Sequence, residues 1–120
     1  MDGNTHLTVD EHMRACIQEC QRCHDSCTEM INHCLEMGGD HAEPSHIRLL
    51  LDCAEICQTS ANFMLRVSAF HTETCDVCAT ICESCAEDCE QFEDDRMMQQ
   101  CAEICRSCAQ SCREMAGMAA

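Results

Sequence analysis

The sequence predicts an all-α fold, an antiparallel up-down four-helix bundle with a cysteine-lined core. Three observations predict it. Sixteen of the 120 residues are cysteine, and most recur at alternating gaps of three and four. Capping residues, glycine and proline punctuate the chain at intervals that suit four helices joined by short connections. The pentapeptide CAEIC occurs identically at Cys53–Cys57 and Cys101–Cys105. An α-helix advances about 100° per residue, so offsets of 0, 4, 7 and 11 fall within roughly 40–60° of one another. Each cysteine cluster is therefore a stripe of sulfur along one side of a helix. In a soluble bundle that stripe ordinarily belongs to Leu, Ile and Val.

The first helix is expected over 8–37. Thr8-Val9-Asp10-Glu11 fits a capping box with Thr8 as N-cap and Glu11 at the third helical position, and Gly38-Gly39 stops the helix after Met37. It carries Cys16, Cys20, Cys23, Cys27 and Cys34. Pro44 suits the first turn of a second helix, 44–66, with Cys53 and Cys57. No Gly or Pro marks the next boundary. Ser68 is the expected N-cap of a third helix, 69–92, with Cys75, Cys78, Cys82, Cys85 and Cys89. Asp94 or Asp95 caps a fourth, 95–116, with Cys101, Cys105, Cys108 and Cys112, and Gly117 ends it. The whole chain, 1–120, reads as one domain.

An internal repeat ties the stripes together. Residues 78–89 read CATICESCAEDC, 101–112 read CAEICRSCAQSC and 53–64 read CAEICQTSANFM. In that alignment Ser60 and Met64 stand where Cys108 and Cys112 stand in the last copy. One metal-facing helix pattern is used several times.

Ordinary apolar burial is thin, with three Phe and no Trp or Tyr. Ile17, Ile31, Leu35, Ile47, Leu49, Leu50, Leu51, Ile56, Ile81 and Ile104 are expected to supply most of it. The net charge of −15 repels phosphate and argues against nucleic acid. It is either a solvated acidic face or a field that attracts cations or a basic donor protein. The N-terminus shows no basic or apolar leader region, and no stretch is apolar enough for a membrane span, so a reducing cytoplasm with free thiols is expected. A chain with its leader removed would read the same.

Thiols one helical turn apart on one face can hold a soft ion without backbone rearrangement. Thiolate and thioether donors favour Cu(I), zinc and Fe–S clusters. Structural zinc sites want four ligands, commonly from knuckles on turns, and there are far more cysteines here than one site needs. Ferredoxin-type runs lie on loops and end in proline, unlike Cys75, Cys78, Cys82 and Cys85. Cu(I) accepts two or three sulfurs and bridging thiolates, so the pattern favours many Cu(I) ions in one core. Against this stand small buried hydrophobes and a disulfide framework, for which neighbours on one helical face are awkwardly oriented.

With these stripes the chain resembles the bacterial four-helix-bundle copper storage protein family (Csp), and its cytosolic kind. The stretches that carry the resemblance are CIQECQRCHDSC in helix one, LLLDCAEICQTSANFML at Leu49–Leu65, CDVCATICESCAEDC at Cys75–Cys89 and CAEICRSCAQSC at Cys101–Cys112. The resemblance implies a bundle that binds many Cu(I) ions, mostly through two thiolates each, and assembles as a homotetramer. It makes all sixteen cysteines the expected metal ligands, with copper donor or acceptor proteins as partners. No catalytic constellation is visible, and an enzyme is not expected. An Fe–S electron carrier and a general thiolate sink for zinc or other soft metals are the alternatives.

Methionine and histidine are the remaining donors. Met13, Met30 and Met37 continue the first stripe, and Met97 or Met98 and Met115 flank the last; packing is their ordinary role. Met64, at a cysteine position of the repeat, is a candidate accessory ligand. His46 and His71 lie seven and four residues before the cysteines that follow them, and either could hand Cu(I) to the first thiolates at a helix end. His6, His12, His24, His33 and His41 are expected on the surface.

Overall fold

The computed structural model describes residues 8–117. Four helices follow one another: α1 (Glu11–Met37), α2 (Pro44–Leu65), α3 (His71–Glu90) and α4 (Arg96–Gly117), with a short 3-10 turn, Gly39–Ala42, between the first two. Each helix packs on its chain neighbours, and α4 returns to pack on α1. That ring order, with short connections, is an antiparallel up-down bundle.

The helix ends show which local signals win. α1 starts at Glu11 because Asp10, not Thr8, is its N-cap: Asp10 Oδ1 accepts from the Met13 N–H at 2.9 Å. A carboxylate there meets the positive end of the helix dipole, which a threonine hydroxyl cannot match. Gly38, at φ 70°, turns the chain away and donates its N–H to the Cys34 carbonyl at 3.1 Å. Pro44 takes the first turn of α2. Asp95 caps α4, its Oδ1 accepting from the N–H groups of Met97 and Met98 at 3.0 and 3.2 Å. The last described residue of α4 is Gly117, so the end expected there lies at the edge of the described residues.

The α2–α3 boundary has a physical reason for its silence in the sequence. α2 closes with a left-handed residue, but that residue is Val67 at φ 49°. The Ser68 N–H reaches the Phe63 carbonyl and the Val67 N–H the Met64 carbonyl, each at 2.9 Å, the double bond pattern that usually announces itself with glycine. Ser68 is not the N-cap of α3. Its hydroxyl accepts from the Phe70 N–H at 3.1 Å within the connection, and α3 begins only at His71.

Sulfur occupies the bundle axis. Met13, Cys16, Cys20, Cys23, Cys27, Met30 and Cys34 form the inward stripe of α1. In α2 the stripe is His46, Leu50, Cys53, Cys57, Ser60 and Met64, and in α4 it is Met98, Cys101, Cys105, Cys108, Cys112 and Met115. All sixteen cysteines are at most 1% exposed, whereas Ile17 and Leu50 are the only large branched aliphatics among the buried residues described. Ile31, Ile47, Leu49, Ile56, Ile81 and Ile104 pack half-buried against the sulfur from the helix seams. Leu35 and Leu51, expected in the core, are about half exposed. Leu51 stands two residues, about 200°, from Cys53 on the helix, so seating the cysteine inward turns the leucine out. Alanines directly after Cys53, Cys78, Cys85, Cys101 and Cys108 are buried as well, and such small side chains let the backbones approach and the thiols meet.

Candidate metal centre

The inward stripes bring the thiols other than Cys34 into one connected column, and Cys34 stands beyond its far end. At one end Cys16 lies 3.7 Å from Cys112, which lies 3.5 Å from Cys20; Cys75 completes a triad with Cys16 and Cys112. Cys20 reaches Cys108 at 3.8 Å, and Cys108 reaches Cys57 at 3.9 Å. Mid-bundle, Cys57 contacts Cys82 at 3.5 Å and Cys78 at 3.7 Å, while Cys53 lies 3.7 Å from Cys82 and 3.8 Å from Cys23. Cys105 lies 3.7 Å from both Cys23 and Cys27, and Cys27 reaches Cys101 at 4.0 Å. Cys89 and Cys85 border Cys101 and Cys105. Every cysteine is a free thiol.

Four cysteine quartets have their sulfurs mutually within 4.8 Å: Cys20/Cys78/Cys108/Cys112, Cys23/Cys53/Cys57/Cys82, Cys23/Cys27/Cys53/Cys105 and Cys57/Cys78/Cys82/Cys108. They overlap, so one sulfur serves several potential sites. A metal–sulfur bond of about 2.3 Å places two ligating sulfurs about 3.8 Å apart in a tetrahedron and about 4.6 Å apart on a line. The observed spacings thus need outward movements of less than about 1 Å to admit ions. A four-iron cluster, which brings its own sulfide, has no room inside such quartets.

Protons in the column are shared rather than owned. Hydrogen bonds between sulfurs dominate in both directions: they hold the thiols of Cys16, Cys23, Cys78, Cys85, Cys101 and Cys108 below the usual range. The same network pushes up the thiols of Cys20, Cys27, Cys57, Cys82, Cys89, Cys105 and Cys112, with burial adding to the rise. An ion entering the column replaces shared protons, a natural exchange for a soft cation.

The two ends of the column differ. Near Cys16 it is closed by the buried thioethers Met13, Met64 and Met115. Ser60, also fully buried, donates its hydroxyl to the Thr74 carbonyl at 3.1 Å. His71 lies at this end, but its Nδ1–H is used on the Ser68 carbonyl at 2.8 Å. At the far end Cys34 Sγ lies 3.5 Å from Met98 Sδ and 3.3 Å from His46 Nε2. The Nδ1–H of His46 donates to the Asp88 carboxylate, which fixes the tautomer and aims the Nε2 lone pair at the sulfur. Burial, with the charges of Asp95 and Cys101 next, pushes the Cys34 thiol up to about 11. Sequence reasoning gave His46 but ranked Met64 above Met98. Among the described residues the thiol–thioether contact is made by Met98, three residues before Cys101; Met97, at four, fits the stripe spacing equally, so only packing separates them. Three histidines expected on the surface are also tied in: His24 donates to the Ala54 carbonyl at 2.9 Å, and His33 and His41 both bond to Asp95. His12 is exposed, and His6 lies outside the described residues.

A sequence model of the copper storage protein family matches residues 9–117. The chain belongs to that family. The fold agrees closely with solved structures. The Nmul_A1745 protein from Nitrosospira multiformis is 50% identical at a TM-score of 0.86, over 91% of this chain and 98% of that one. The Cu(I)-bound copper storage protein BsCsp3 is 38% identical at a TM-score of 0.83, over 88% of this chain and 99% of that one. A cytosolic copper storage protein from Streptomyces lividans, solved with five coppers, is 32% identical at a TM-score of 0.77, over 89% of this chain and 93% of that one. No helix among the described residues is long and apolar enough to cross a membrane.

Proposed function

We propose that this family member stores and buffers Cu(I), all sixteen core cysteines serving as ligands, on the order of one ion per thiolate where sulfurs bridge. The observation that carries this reading is the unbroken column of buried free thiols spanning the bundle. A single structural site needs four donors; a column whose quartets overlap is a container. Its role is binding rather than catalysis, in the cytoplasm, as one domain. Titration of the reduced apo-protein with Cu(I) against a strong competing chelator tests it: tight uptake should continue past ten equivalents, and saturation at one or two would end the storage reading. Because the quartets also meet the ligand count of Zn(II), the same titration with Zn(II) present separates a general soft-metal sink, in which Zn(II) would hold back Cu(I).

Copper enters at the Cys34 end. A surface cavity of about 320 Å³, lined by Asp40, Glu43, His46, Asp88 and Phe92 among others, opens directly over His46. Its carboxylates attract a cation, His46 Nε2 accepts it, and Cys34 with Met98 passes it to Cys101 and Cys89. Met64 and His71, at the opposite end, are accessory donors for the ions bound deepest. Exposed Leu51, Leu65, Phe70 and Val77 supply apolar surface for assembly as a homotetramer, which light scattering of the purified protein checks.

A further inference from the structure

A second donor set lies just outside the sulfur column and has different chemistry. His33, near the end of α1, and His41, on the 3-10 turn, both point Nε2 at one oxygen of Asp95, at 2.6 and 2.9 Å. Asp95 divides its carboxylate: Oδ1 caps α4, and Oδ2 is left for the two imidazoles. The rings meet nearly edge-on, their planes at 85° and centroids 5.8 Å apart, so they approach the oxygen from different directions. Phe92 lies against His41 at 4.2 Å and His46 at 4.9 Å, between this cluster and the copper-facing histidine. Burial would raise the Asp95 carboxyl, but the bonds from His33, His41 and the Met98 N–H outweigh it and hold it at about 2. The carboxylate is charged at any physiological pH. The cluster borders a surface cavity of about 470 Å³ that also exposes Asp94 and Glu93, room for a water to complete a coordination shell.

We propose that His33, His41 and Asp95 bind one divalent cation of the Zn(II) class, independently of the copper column. Two imidazole nitrogens and a carboxylate oxygen suit a borderline divalent ion; the hard oxygen and absent sulfur disfavour Cu(I). Tetrahedral ligands about 2.0–2.1 Å from zinc lie about 3.3 Å apart, so each imidazole nitrogen needs to draw back from the Asp95 oxygen by about half an ångström. To ligate, each imidazole gives up the Nε2 proton it turns toward Asp95, to its own Nδ1 or to solvent, and offers the freed lone pair to the ion. The bound ion would pin the end of α1, the 3-10 turn and the start of α4 together beside the copper opening.

The test must keep Zn(II) away from the thiols. Protein saturated with Cu(I) is exposed to Zn(II), dialysed against buffer containing excess Mg²⁺, and both metals are counted. Co(II) is then used as a spectroscopic probe. One retained zinc per chain is expected, with weak visible cobalt bands and none of the intense near-ultraviolet absorption that cysteine–cobalt bonds produce. His33→Gln/His41→Gln keeps amide donors for Asp95 but removes both ligating nitrogens. Zinc affinity should fall at least tenfold in it, with copper content and thermal stability unchanged. Should the double variant misfold, His41→Gln alone gives the same reading. Zinc retained equally by the variant, no zinc retained by the parent, or cobalt carrying the thiolate band would each overturn the proposal. The cobalt spectrum separates nitrogen from sulfur ligation in the apo-protein too, so failure of the copper reading would be seen apart from failure of this one.

Discussion

Replacing Cys82 and Cys105 with serine strikes the middle of the column and distinguishes a connected store from a row of independent sites. Cys82 belongs to two of the four sulfur quartets and Cys105 to a third, with none in common, so only Cys20/Cys78/Cys108/Cys112 keeps all four ligands. With one ion per thiolate and two thiolates per ion, each sulfur bonds two ions. The double variant therefore loses two to four of about sixteen Cu(I). The apo-protein should remain helical. A serine hydroxyl among sulfurs finds only weak partners and costs about 1–3 kcal/mol per site, within the roughly 5–15 kcal/mol available to a domain. Cys82→Ala/Cys105→Ala removes the same ligands without the polar group at about 1 kcal/mol each, and isolates loss of ligation from the hydroxyl's cost. Copper bound per chain, measured under chelator competition, and far-ultraviolet circular dichroism of the apo-protein read the two effects separately. Undiminished capacity in the alanine variant would refute shared ligation. Collapse of the helical signal in both variants would show that the thiols are structural first.

Loading at pH 7 should acidify an unbuffered solution, measured by pH-stat titration, because bound sulfur is thiolate; sharing of protons between sulfurs keeps the release below one proton per thiol engaged. Apo-protein stability should decline in alkali. The Cys34 thiol is raised from 9.0 to about 11, chiefly by burial; at Cys75 the bond with Cys112 lowers the thiol, but the bond with Cys16, burial and neighbouring thiolate charge together outweigh that bond and raise the thiol to about 12. Their contribution is complete below pH 9 and lost as pH rises through 11 to 12, which denaturant titrations across that range will follow. Asp88→Asn and His46→Ala should slow copper uptake in stopped-flow mixing with chelated Cu(I), while final capacity falls by no more than one ion per chain; unchanged rates would move the opening elsewhere. Stripping copper should lower the melting temperature, since an ion held a hundredfold below its free concentration stabilises by about 2.7 kcal/mol.

Much of the site was legible before any coordinates. Cysteine at offsets of three and four fixes the inward face of each helix without knowledge of its neighbours, because the 3.6-residue turn is a local property. Local reasoning also placed Pro44 and Gly38, and narrowed the cap of α4 to Asp94 or Asp95, between which the structure chooses Asp95. It failed where competing local signals were close in kind, as between Thr8 and Asp10, and where the chain accepted a left-handed valine in place of glycine at Val67. It also assigned Leu35 and Leu51 to the core because they are apolar, though the thiols had already claimed the inward face.

The sequence by itself determined the chemistry: soft donors, their stripes, four helices and an acidic exterior, all consequences of residue type and short-range spacing. Only the tertiary structure decided how the stripes share. Which sulfurs form quartets depends on the relative height of four helices, and adjacent-residue patterns carry no information about that height. The two ends of the column were settled in the same way. Met98, His46 and Asp88 come from three different helices, and only packing brings them to Cys34. His33 and His41 looked like surface residues for the same reason, and Asp95 like a helix cap alone, until chain reversal at Gly38 and the cap of α4 brought both imidazoles onto one oxygen of Asp95.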